Sequence, residues 1–158
     1  MDLGLAISLS VGCIAVIMLL ASWMFKDKPG AKPARYPFRV FYIAIIILFA
    51  AILADEYQPN PLITAILDLS LAITGVSLLL GIMWRCESNW ANKWVYLLGL
   101  IFILFDMVIM PGSMLPGFSF EVVCSLLGSY VLLNRRPKSN AGDKGMAYIL
   151  LCWSAIFL

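Results

Sequence analysis

The sequence predicts an all-α, polytopic transmembrane helix bundle of about six helices, with short loops and the N-terminus outside. The first observation is composition, because 63% of the 158 residues are hydrophobic and 13% are charged, far from the soluble globular norm. The second is that several apolar stretches run to about 18 residues or more, enough to cross a bilayer. The third is that all eleven Lys and Arg residues fall in three alternate loops. Cationic loops stay cytoplasmic, so this asymmetry also predicts the orientation.

The first apolar run, Leu3–Phe25, is predicted to be an uncleaved membrane helix. No basic residue precedes it and the cations follow it, whereas a cleavable signal peptide begins with a positively charged segment. The loop Lys26–Pro37 contains three prolines and one glycine. We therefore expect this loop to be extended and not helical.

The remaining helices are predicted from apolar runs and their breakers. They are Phe38–Ala54, Leu62–Trp84, Trp94–Met110, Phe118–Leu133 and a sixth run that begins near Gly145. The outer turn Asp55–Pro61 and the outer breakers Pro111-Gly112 and Pro116-Gly117 carry no Lys or Arg, and Asn134–Lys144 is the third basic loop. We expect residues 1–158 to form a single transmembrane domain. The short last run, about 21 Å of helix, leads us to expect that the natural chain continues beyond Leu158.

Three acidic residues inside the predicted helices are the candidate ligand-binding residues. Asp68 and Asp106 are expected about 7–10 Å below the outer surface, by 1.5 Å per helical residue, and Glu121 about one turn inside the same face. The three carboxyls could line a polar pocket that opens to the outside. Intramembrane acids raise a functional-site hypothesis by default. The alternative is helix–helix contact, in which Asp68 or Asp106 bonds to Ser or Thr of a neighbour, and for Glu121 an interfacial position near water.

Small residues at helical spacing predict close helix–helix contacts. Their neighbours are either other helices of this bundle or another subunit, and the sequence leaves that choice open. The predicted packing positions are Gly4, Ser8, Gly12, Gly75, Gly81 and Gly128.

Several kinds of chemistry are excluded by what the sequence lacks. There is no His, which removes bis-His haem and most zinc and copper sites. The four cysteines show no CxxC spacing, so we interpret them as small packing residues. Without a Walker-type loop or a Ser/His/Asp set, we expect no catalytic residue, metal, cofactor or nucleic-acid partner.

The stretch Pro61–Ser70, continuing through Gly75 to Arg85, resembles the third helix in the membrane region of bacterial signalling proteins. The closest likeness is to diguanylate cyclases of the GGDEF type, in which a polar residue, often Asn, commonly stands at the position of Asp68. The segment Leu132–Arg136 is similar to the end of their fifth helix. The resemblance implies a membrane anchor and sensor for a cytoplasmic output. The GGDEF residues themselves are absent from this sequence, so no catalytic residue is carried over.

Three functional hypotheses follow. The first is a non-catalytic module of the bacterial inner membrane that anchors a signalling protein and senses for it, with its basic loops in the cytoplasm. The second is a small accessory subunit of a larger membrane complex. The third, less favoured, is ion or proton translocation through Asp68 and Asp106, because no inverted repeat or broken helix of a transporter is evident. In each case the partners are the lipid bilayer and other membrane helices, either in a homo-oligomer or in a larger complex.

Overall fold

The computed structural model describes residues 3–24, 34–86, 97–99, 101, 102, 104, 108, 115–134 and 141–156. Its helices are α1 (Leu3–Met24), α2 (Arg35–Tyr57), α3 (Pro61–Arg85), α5 (Leu115–Leu133) and α6 (Ala141–Ile156); helical residues at 97–99, 101, 102, 104 and 108 belong to α4. The described residues contain no strand. The prediction of an all-α fold is therefore confirmed.

The helices pack in the spatial order α1–α2–α3–α5–α6. Arg39 near the start of α2 donates to the carbonyl oxygen of Ser22 near the end of α1, at 3.2 Å, so these two helices are antiparallel. α5 and α6 are also antiparallel, because Ser129 late in α5 donates to the carbonyl oxygen of Ala147 early in α6. In contrast, α3 and α5 run parallel, since Gly75 adjoins Glu121 and Gly128 adjoins Ile82 further along both helices.

Helix α3 is the centre of this arrangement. It contributes to both clusters of buried apolar residues, one with Phe120 and Cys124 of α5 and the other with Leu132 of α5 and Ala147 and Leu150 of α6. Two described helices, α2 and α3, are long and apolar enough to cross a membrane. Most of the apolar span of α3 is buried within the chain, whereas little of that of α2 is buried.

Three helices begin earlier than predicted, and each has a proline in its first turn. Pro61 is the first residue of α3, Pro116 the second of α5 and Pro37 the third of α2. The predicted starts, at residues 62, 118 and 38, took these prolines as part of the preceding loops and were wrong by one to three residues. Proline removes no intrahelical hydrogen bond in the first turn. At α3 the Asn60 side chain also caps the helix by accepting from the Leu62 N–H at 2.9 Å.

Two predicted loops are likewise shorter than expected. α2 continues through Asp55 and Glu56 to Tyr57, so the outer turn is confined to residues 58–60. α6 begins at Ala141 rather than near Gly145, and this brings Asp143 into its first turn. A carboxylate in this position is stabilised by the helix dipole, which gives a physical reason for the earlier start.

Candidate functional site

The most buried acid among the candidate site residues is Glu121 of α5, which is 7% exposed. Trp153 of α6 donates a hydrogen bond from its Nε1 to the Glu121 Oε1, at 3.2 Å. Because α5 begins at Leu115, Glu121 is the seventh residue of its helix and not one turn from its start. Glu121 is therefore further from the start of α5 than predicted, and an interfacial position for it stays a prediction. Trp153 was missed, since an indole 32 residues away on another helix gives no local signal of this contact.

Glycine on α3 allows α5 to approach closely at Glu121. A Cβ added to Gly75 would lie 3.4 Å from the Glu121 Cα and 3.4 Å from the Cys124 Sγ. One turn further along α5, Ser125 is fully buried, and its Oγ has no hydrogen-bond partner among the described residues. Ser129, the next residue on this face, donates to the Ser125 carbonyl oxygen at 2.8 Å and to that of Ala147 at 3.2 Å. The α3–α5–α6 contact thus encloses one carboxyl, one indole N–H and a column of hydroxyls.

Asp68 does not lie at the level of Glu121. A Cβ added to Gly117 would lie 3.2 Å from the Leu71 Cβ, and Glu121 adjoins Gly75. Asp68 is seven residues before Gly75 on α3, so at 1.5 Å per residue about 10 Å separates its level from that of Glu121. The Asp68 residue is partly buried. Asp106 lies outside the described residues, so a pocket of three carboxyls stays a prediction, and the expectation of one common level is not met by Asp68 and Glu121.

Three of the predicted packing glycines lie at helix–helix contacts within the chain. Besides Gly75, a Cβ at Gly81 would lie 2.9 Å from the Phe38 ring of α2, and one at Gly128 would lie 2.8 Å from the Cδ1 of Ile82. Both distances are shorter than a methyl group tolerates without movement of its neighbour. These glycines therefore bring α2 and α5 against α3.

The predicted small-residue pattern of α1 is only partly described. A Cβ at Gly12 would lie 4.0 Å from the Phe49 Cβ of α2, an ordinary contact distance. Nothing is described of the side-chain surroundings at Gly4 and Ser8. The role of these two residues in helix packing stays a prediction.

An ion pair joins the last residue of α3 to the first turn of α6, away from Glu121. The Arg85 Nη2 lies 3.0 Å from the Asp143 Oδ1, and the Arg85 Nε donates to the same oxygen at 3.1 Å. The Asp143 side chain is buried, whereas about half of the Arg85 side chain is exposed. Sequence reasoning had placed both residues in loops on the same side, which is compatible with this contact but did not foresee it.

The chemistry open to these groups is hydrogen bonding and charge pairing. Within the described ranges, no three His, Cys, Asp or Glu side chains converge as a metal-binding group. Cys13, Cys124 and Cys152 are free thiols. Among the described residues, polar side chains of different helices meet in Glu121 with Trp153, Arg85 with Asp143 and Arg39 with Ser22.

Comparisons with known proteins add no relative. No protein-family model, curated protein or solved structure matches the chain. The functional argument therefore rests on the physical properties of the helices and on the contacts between them.

Proposed function

We propose that this chain is a non-catalytic, multi-pass module of the bacterial inner membrane that anchors a signalling protein and senses for it. Its basic helix ends would face the cytoplasm, and the Glu121–Trp153 contact would be its sensing site. The observation that carries the membrane assignment is the distribution of side-chain sizes between interior and exterior.

The exterior carries large apolar side chains and much of the interior carries small or hydroxylated ones. Exposed examples occur on α1, α2, α3, α5 and α6, among them Ile17 of α1, Ile47 of α2, Leu69 of α3, Leu127 of α5 and Ile149 of α6. The buried set includes Ala15, Ala44, Ala51, Ala72, Ala147, Ser70, Thr74, Ser77, Ser125, Ser129 and Ser154. Soluble monomers rarely expose apolar patches of this extent, whereas membrane helices pack through small residues and turn large ones to lipid.

The hydroxyls of the interior support the same assignment. Thr74 donates to the Ser70 carbonyl oxygen, Ser129 to that of Ser125 and Ser154 to that of Leu150, all four residues back in their own helices. Such bonds satisfy a hydroxyl without any water, as hydrocarbon surroundings require. The interior can therefore be polar in composition and still suit a bilayer.

Charge supports the orientation. Three contacts bring one set of helix ends together. They join Ser22 of α1 to Arg39 of α2, Phe38 of α2 to Gly81 of α3, and Arg85 of α3 to Asp143 of α6. Arg35, Arg39, Arg85 and Lys144 lie at this end, and Asp55 and Glu56 lie at the other end of α2. The rule that cationic segments stay cytoplasmic would then put the first end inside the cell.

For sensing, the contact at Glu121 offers a carboxyl whose partner is on another helix. A ligand, or a change of charge on this carboxyl, would alter its bond to Trp153 and so the packing of α5 against α6. Because Asp143 of α6 is joined to Arg85 of α3, a shift of α6 would reach the basic end. Because α6 runs from the basic end towards the other end of the bundle, output domains at the basic end would follow one further membrane helix. They would sense the shift as a change in their spacing.

Single-cysteine labelling tests the membrane topology. In a background without the four native cysteines, Gln58→Cys reports the acidic end and Asn134→Cys the basic end, and both positions are exposed. A membrane-impermeant maleimide should label the first variant in intact cells and the second only after permeabilisation. Labelling with the opposite pattern would contradict the orientation, and recovery of the protein in the soluble fraction would contradict the membrane assignment.

The intact mass of the protein from its native membrane tests the signalling role. We expect a mass clearly above the 17.5 kDa of these 158 residues, with an output domain accounting for the difference. A mass near that value, together with stable copurification of other subunits, would instead establish the accessory-subunit hypothesis.

A further inference from the structure

A cavity of about 400 Å³ lies between α2, α3 and α4, apart from the site at Glu121. Its walls are Tyr36, Pro37 and Val40 of α2, Gly99 of α4, and α3 from Ala72 to Trp84. The volume falls within the range of small-molecule sites. Ser77 is the hydroxyl residue of α3 in this wall, and its Oγ donates to carbonyl oxygens of its own helix. The described lining is thus apolar along its length, apart from the Ser77 hydroxyl, and we call this cavity the groove.

The length and position of the groove fit one lipid chain. Ala72 and Trp84 are twelve residues apart on α3, which corresponds to about 18 Å of helix. Half of a bilayer's hydrocarbon core is about 15 Å thick. Since the groove runs from the middle of α3 to its basic end, it covers the depth of one leaflet.

The mouth of the groove is cationic. The guanidinium carbons of Arg35 and Arg39 lie 5.2 Å and 5.8 Å from the centre of the Tyr36 ring. Arg39 is also held by Ser22 and lies over Trp23 at 4.5 Å, whereas Arg35 begins α2. The residue before it, Ala34, gives that helix no side-chain cap. A helix N-terminus favours negative charge, so the dipole and both guanidinium groups favour an anion beside Tyr36.

We infer that this groove, defined by Tyr36, Val40 and α3 from Ala72 to Trp84, binds one acyl chain of an anionic phospholipid. The lipid phosphate lies at Arg35, and its chain extends along α3 towards Ala72. This inference rests on the membrane location proposed above. It goes beyond that proposal by assigning a lipid class and a headgroup contact.

The test uses the full chain in nanodiscs that contain equal amounts of phosphatidylglycerol and phosphatidylcholine with identical acyl chains. Native mass spectrometry then measures which lipid stays bound. We expect retained phosphatidylglycerol to exceed phosphatidylcholine, and excess inorganic phosphate not to displace it, because the acyl chain supplies part of the binding. Arg35→Gln should lower the ratio about tenfold, since a charge-assisted hydrogen bond contributes about 1.5–3 kcal/mol and about 1.4 kcal/mol is tenfold.

Two matched pairs of variants make the test specific. Val40→Trp fills the groove from a position that is 46% exposed, and Val123→Trp makes the same change on α5 at a position that is 51% exposed. Only Val40→Trp should abolish retention. Lys144→Gln removes one exposed charge at the basic end and is the control for Arg35→Gln.

Three outcomes would overturn the inference. Equal losses in Arg35→Gln and Lys144→Gln would mean general attraction to anionic membrane, and equal retention in the two Trp variants would mean that the groove holds no chain. Equal retention of the two lipids would mean that the groove binds an apolar occupant without selecting an anionic headgroup. Flotation of the protein with vesicles is recorded in parallel. A protein that floats but fails the lipid test leaves the membrane function standing, whereas one that does not float contradicts both.

Discussion

The Arg85–Asp143 pair should show unequal costs when either partner is removed, because its two side chains differ in exposure. The Arg85 side chain is 48% exposed and that of Asp143 is 3% exposed. Arg85→Gln leaves a buried carboxylate without its guanidinium partner. Asp143→Asn leaves a guanidinium that solvent already reaches. The first change should therefore destabilise the protein more than the second.

The magnitudes follow from this geometry. Removal of one partner from a buried pair costs about 3–5 kcal/mol, and partial exposure of Arg85 puts Arg85→Gln near the lower limit, about 3 kcal/mol. For Asp143→Asn, loss of a solvent-screened pair costs up to about 1 kcal/mol, and loss of a charge in the first turn of α6 costs about 0.3–1 kcal/mol. The double variant should resemble Asp143→Asn alone, so the coupling free energy in a double-mutant cycle should equal the cost of Arg85→Gln, about 3 kcal/mol.

The free energy of unfolding can be measured for the four proteins by titration with sodium dodecyl sulfate in mixed micelles, followed by tryptophan fluorescence. Lys144→Gln is the control, because it changes an exposed charge beside Asp143 and should alter the free energy of unfolding by less than about 0.5 kcal/mol. Equal effects of the two single changes, or additive effects in the double variant, would refute the assignment of a buried carboxylate held by an exposed arginine.

Two further predictions use the same titration. Gly81→Ala introduces a methyl group about 3 Å from the Phe38 ring and should cost about 1–2 kcal/mol net, since overpacking outweighs the gain in helix propensity. A Cβ at Gly145 meets nothing within 4 Å, so Gly145→Ala should instead stabilise the protein by up to about 1 kcal/mol. Equal effects at the two positions would contradict close packing of α2 on α3. Trp153→Phe keeps an aromatic ring but removes the donor to Glu121 and should cost about 1–3 kcal/mol. An unchanged free energy of unfolding would mean that this bond contributes nothing.

Features that depend on the local sequence could be predicted. The relative heights of residues on different helices, measured along the bundle, could not. The existence and order of the helices follow from the apolar runs, and even the errors at Pro37, Pro61 and Pro116 have a local cause in first-turn chemistry. No local feature of the sequence determines the height of Glu121 along the bundle. It depends on where α5 packs along α3, which is determined by the contacts of Gly75 and Gly117 with residues about 45 positions away.

The parallel contact of α3 with α5 could not be predicted from the sequence for the same reason. Sequential helices joined by short loops are expected to pack as antiparallel neighbours, and this holds for α1–α2, α2–α3 and α5–α6. The sequence cannot show which non-sequential pair fills the remaining face of α3. Glycines could have suggested it, because Gly75 and Gly128 were both predicted to pack, but nothing in the sequence pairs Gly75 with α5 rather than with another helix.

Two side-chain contacts of α6 would let the bundle transmit the signal proposed above. Trp153 and Asp143 are ten residues apart on α6, or about 15 Å of helix. The first contacts α5 and the second contacts α3. Most interior hydroxyls bond within their own helices and do not resist sliding of one helix on another, whereas these two contacts do. If the proposed signal broke the Glu121 bond, α6 would still be held near its start by Asp143 and by the Ser129 bond to Ala147, and the helix would pivot about its basic end instead of leaving the bundle.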